Sequence, residues 1–143
     1  MIEDRARHLG IVELHDICER LAARHEDLFR MLGGWVADTP DPAAQQLFSE
    51  ACHRHAWHAE LWRGRSPAIP ADAAPDAAAT ATTIEPDAAD RLAAYTAAIV
   101  EVSATTQEVA GRADPVLDPS THRVASLTLT DLTDLVGRAA AIS

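Results

Sequence analysis

Between Asp4 and Val36 the residues Leu14, Ile17, Cys18, Leu21, Leu28, Leu32 and Trp35 recur three or four apart with charged residues between them. That spacing lays apolar side chains along one stripe of an α-helix, and it predicts a first helix over about residues 4–36. Asp38-Thr39-Pro40-Asp41-Pro42 then stops the chain and restarts it, with Asp41 as N-cap and Pro42 at the first helical position, where a missing N–H is harmless. The second helix is predicted over about 42–63, with Ala44, Leu47, Ala51, His55, His58 and Trp62 facing inward. So short a connection forces the two helices into an antiparallel hairpin.

Gly64 is read as the end of the second helix. The stretch 64–85 is rich in Pro, Ala and Thr and has no period, a long loop that either crosses the bundle or stays at one end. Pro86, Asp87 and Asp90 open a third helix over about 86–111, striped by Ala88, Leu92, Tyr95, Ile99, Val102, Thr106 and Ala110 and closed by Gly111. The turns Asp114-Pro115 and Asp118-Pro119 lead to a fourth helix over about 119–141, with Ala125, Leu129, Leu132, Val136 and Ala139 inward. The expected fold is all-α, a four-helix bundle forming one domain over 1–143, since a chain of this size supports one core.

Composition agrees and narrows the partners. Alanine and leucine carry most of a 48% apolar content and aromatics make up only 4%, which suits closely packed helices. A net charge of −10 gives no general attraction for nucleic acid or for an anionic membrane. All 12 basic residues are arginine, a usage expected of a GC-rich bacterial genome. No segment reads as a signal peptide or reaches the roughly 18 apolar residues of a membrane span, so a cytoplasmic location is expected. There, Cys18 and Cys52 are expected to stay reduced and to pack as small apolar side chains.

Seven histidines remain to be explained. Phased at about 100° per residue, His25 falls on the stripe of the first helix and His55 and His58 on the inner face of the second. His8, His15 and His53 fall at the edge or outside. With the hairpin pivot near Thr39, His25 stands level with His55 and one turn from His58. Three imidazoles therefore converge, without a carboxylate. That set suits either ligation of one divalent metal, Fe or Zn, or metal-free general acid and base catalysis. If the long loop crosses the bundle, Tyr95 comes within about one turn of His55; otherwise Thr106 takes that place. Arg54 beside the stripe is positioned for an anionic substrate group, and Trp62 for a flat one. His122, inward on the fourth helix, lies on the order of 15 Å away.

The order short hairpin, long connection, short hairpin, together with the Glu-x-x-His form of Glu50-Ala51-Cys52-His53, resembles the ferritin-like superfamily. That resemblance implies the bundle architecture. Its di-iron pattern would fall on Glu19 or Glu26, Glu50 and His53, and Glu101 or Glu108, which the helical phase turns away from the core or to its edge. The chain is also similar, in gathering one histidine from one helix and two from another, to the DinB-like bundles, which implies one divalent metal on His25, His55 and His58.

Three functions follow as expectations. The first is an enzyme acting on a small-molecule substrate through His25, His55, His58 and Tyr95, with Arg54, Trp62 and Thr106 toward the substrate and its reaction class open among lyase, cyclase, hydrolase and oxygenase. The second is a non-catalytic protein holding a metal, a haem or another ligand. The third is a structural protein that forms a homodimer, for which Trp57 on the flank of the second helix is the sign. Phosphate loops, dinucleotide fingerprints and nucleophile motifs do not occur.

Overall fold

The computed structural model describes residues 8–73 and 85–143. Among these lie four α-helices and no strand: α1 (Ile11–Trp35), α2 (Pro42–Arg65), α3 (Arg91–Arg112) and α4 (Pro119–Ile142). Two of the starts are capped as the sequence predicts. The Asp41 carboxylate accepts the Ala44 N–H at 3.0 Å and that of Asp118 accepts the Thr121 N–H, each followed by proline at the first helical position. These caps satisfy amides that an open helix end leaves bare.

The boundaries differ where no such device exists. Residues 8–10 are not helical and α1 begins after Gly10; the earlier part of the predicted start, 4–7, lies outside the described residues. Gly64 does not end α2, which runs on to Arg65 and closes when the Ser66 N–H donates to the carbonyls of Trp62 and Arg63. Ala88–Asp90 forms a single 3-10 turn, so α3 starts at Arg91 and not at Pro86. Most of the predicted loop, 74–84, lies outside the described residues.

Ion pairs at the helix ends establish the topology. Arg65, at the end of α2, donates to Asp118 and Thr121 at the start of α4. Arg91, at the start of α3, pairs with Asp38 just after α1. Arg112, at the end of α3, reaches back to Glu13 at the start of α1. The connection between α2 and α3 therefore joins opposite ends of the bundle, and α3 runs parallel to α2. Among the sequence alternatives this is the crossing one, and it gives the helix order that the ferritin-like resemblance implies. The closest packing is α1 on α2, then α3 on α4 and α2 on α4. Between α1 and α3 the backbones stay further apart, leaving a seam.

The core is closed by Leu28, Leu32, Phe48, Trp62, Ile99 and Leu132, all essentially inaccessible. Cys18 and Cys52 are free thiols. Burial pushes the Cys18 thiol up to about 11, which keeps it protonated and unreactive. No described helix is long and apolar enough to cross a membrane.

Candidate metal centre

The register of the first hairpin places the histidines where the sequence phase predicts. His25 of α1 and His55 and His58 of α2 are each 0% exposed. Their rings pack against one another with centroids 4.9–5.9 Å apart. Nδ1 of His25 lies 2.9 Å from Nδ1 of His55, so one of the two carries the proton and the other accepts it. One ligand nitrogen from each ring falls within 4.8 Å of the others. Three nitrogens around a zinc-sized ion at about 2.1 Å would stand about 3.4 Å apart. Holding such an ion would require these nitrogens to draw together by up to about 1.4 Å.

The second hairpin supplies oxygen partners. The crossing connection brings Tyr95 of α3 to His55, its hydroxyl 2.8 Å from Nε2. Burial holds the Tyr95 hydroxyl well above the usual phenol range, so it stays protonated; with its oxygen accepting Nε2–H of His55, Nδ1 of His55 accepts from Nδ1–H of His25 and Nε2 of His25 carries a lone pair. Asp131 of α4 takes Nε2 of His58 at 2.8 Å. A carboxylate only accepts, so His58 is the Nε2–H tautomer and its Nδ1 presents a lone pair. That Nδ1 is buried and has no hydrogen-bond partner among the described residues, and the same holds for Nε2 of His25. Leaving such atoms unpaired costs about 1–3 kcal/mol each, and a metal ion is one group that would satisfy them.

Desolvation sets the electrostatics. Burial, reinforced by the neighbouring imidazoles, drives His25 down to about 2. Burial likewise takes His55 to about 3, with His58 adding to it. His58 is also lowered by burial, while Asp131 pulls it back up. Neutral imidazoles are the form that ligates a metal. A neighbouring carboxylate that orients a histidine and raises its basicity is a recurrent outer partner in metal sites.

Asp131 is the residue that sequence reasoning missed, and the reason is a rotation of α4. Its buried line is Thr121, Ala125, Thr128, Leu132, Leu135 and Ala139, while Leu129 and Val136, expected inward, sit at the rim. Asp131 stands three residues after Thr128 and four before Leu135, the spacing that shares a helix face. The hydroxyls explain the misreading: Thr128 turns its Oγ1 back to the Val124 carbonyl at 2.9 Å, so a threonine occupies an apolar position.

The other expected residues have partners of their own or lie along the same helices. Arg54 pairs with Asp134 at 2.6 Å and lies 3.8 Å from Asp131. Trp62 is buried, and its Nε1 has no hydrogen-bond partner among the described residues. Thr106 gives its hydroxyl to the Val102 carbonyl and is eleven positions along α3 from Tyr95. Glu50 pairs with Arg138, Glu26 pairs with Arg30 and Arg63, and His53, Glu19, Glu101 and Glu108 are exposed, so the di-iron residues do not gather. No family model, curated protein or solved structure matches this chain.

Proposed function

We propose that the chain is a metal-dependent enzyme for a compact small molecule, with His25, His55 and His58 holding one divalent ion, zinc or iron. The observation that carries this reading is the Asp131–His58 pair, which fixes one tautomer and leaves the buried Nδ1 lone pair without a partner among the described residues. Three neutral nitrogen donors leave a metal with at least one open position, the arrangement used when an ion acts as Lewis acid or activates water. Tyr95 orients His55 and is available as a proton donor. Metal-free acid and base catalysis has less support, because burial lowers all three imidazoles and so weakens each as a base.

Complete burial of the three rings favours a second reading, a bundle that holds its metal without turnover. Rings in mutual contact leave no slot between them for a haem. Protein purified without a histidine tag, stripped with chelator and titrated with cobalt(II), separates these readings. One equivalent should bind with the visible bands of a tetrahedral nitrogen-rich site, and His58→Gln should abolish them. Binding far below one equivalent per chain sinks the metal reading. Exchange of a cobalt-bound water, read by water proton relaxation, supports the enzyme; a site closed to water supports the holding role.

A further inference from the structure

The seam between α1 and α3 opens a cleft of about 190 Å³ walled by Ile17, Arg20, Leu21, Arg24, Glu101 and Val102. Its floor is formed by Leu21 and Val102, both nearly inaccessible. Leu21 stands one helical turn before His25 on the same buried stripe, so the floor of the cleft adjoins the histidine cluster. The volume amounts to on the order of six water molecules at about 30 Å³ each, room for a molecule of a few heavy atoms.

The charges in the cleft are unequal in their commitments. Arg20 is tied to Asp16. Elsewhere Arg54, Arg65, Arg91 and Arg138 are each held by a carboxylate. Arg24 has neither an ion pair nor a hydrogen bond among the described residues, although acidic side chains outnumber basic ones 22 to 12 in this chain. It adjoins His25 in sequence, and its positive charge reaches both His25 and His55. Glu101, on the opposite wall, opposes it. An uncommitted guanidinium in a narrow cleft raises the positive potential there, and its fork of donors matches the planar oxygens of a carboxylate.

We propose that this cleft is the anion entry to the three-histidine centre. A compact carboxylate or oxyanion docks on Arg24 and, when Leu21 and Val102 turn aside, offers an oxygen to the metal. The proposal rests on the metal reading above and names its substrate class.

Acetate titrated into the cobalt-loaded protein is the test. Acetate should shift the cobalt bands. Arg24→Gln should weaken acetate at least tenfold with cobalt stoichiometry unchanged, and Glu101→Gln should tighten it several-fold. That opposite sign is one that general damage to the fold does not produce. Unshifted bands, or an Arg24→Gln titration equal to wild type, overturn the cleft proposal. Failure of cobalt to bind sinks the metal reading by itself; acetate is then followed on the metal-free chain through the Arg24 Nε–H resonance, and indifference there overturns the cleft as well.

Discussion

The α1–α2 hairpin and the α3–α4 hairpin contribute to the centre in different ways. The first supplies all three imidazoles, brought level by a turn of a few residues and by the tightest helix packing in the bundle. The second supplies only oxygen, Tyr95 to His55 and Asp131 to His58. Nitrogens that would bind a metal therefore depend on local register, while the groups that orient them depend on how two hairpins dock.

The largest effect that would break this division is acid. Folded His25 and His55 protonate only near 2 and 3, whereas in the unfolded chain they do so near 6.5. Their contribution is whole above about pH 6.5 and is lost as the pH falls toward the folded values. Two such groups imply a loss on the order of 2–3 kcal/mol per pH unit below about pH 6 for the metal-free protein. Urea unfolding followed by circular dichroism at pH 7, 6 and 5 measures this; a flat profile would mean the rings are hydrated.

Next in size is His25→Leu, which separates ligation from packing in the first hairpin. An apolar side chain of similar volume removes the Nε2 that lacks a partner among the described residues but also strips Nδ1 of His55 of its partner; the two effects oppose, so metal-free stability should change by no more than about 2 kcal/mol. Cobalt affinity should meanwhile fall by at least about a hundredfold, since a ligand counts for more than an outer partner at 10–100-fold. Equal losses in both measurements would make His25 a packing residue.

The second hairpin is probed by Asp131→Ala and Tyr95→Phe. Removing Asp131 frees the tautomer of His58 and should weaken cobalt about 10–100-fold. Tyr95→Phe should cost about 1 kcal/mol of stability and weaken cobalt less than Asp131→Ala does. The reverse ranking would move the orienting role from α4 to α3. The smallest effect is expected of Trp57→Ala. This indole is 45% exposed on α2, and its loss should change stability by less than about 0.5 kcal/mol; in sedimentation it should shift the mass only if this flank joins two copies.

The same contrast explains what the sequence disclosed. His25, His55 and His58 were legible because a stop at Asp38–Pro42 fixes both the pivot and the phase of two helices. Tyr95 was legible conditionally, since its height depended on whether the connection from Arg65 to Arg91 crosses the bundle. Asp131 was not legible. Leucines at 129 and 132 advertise one helix face, and the face that packs is turned toward Thr128 and Leu135, where hydroxyls satisfied by their own helix pass as apolar. The ends of α1 and α3 escaped for a simpler reason, because neither carries a side-chain cap.

The crossing connection also has a kinetic meaning. Contacts within the first hairpin span about 30 positions, as between His25 and His55, whereas His58 and Asp131 are separated by 73. Short closures form sooner than long ones. Contact order therefore favours the three imidazoles meeting before the second hairpin docks. The carboxylate and the phenol that orient the rings arrive with the longer closure, so the final set of the three nitrogens waits for it.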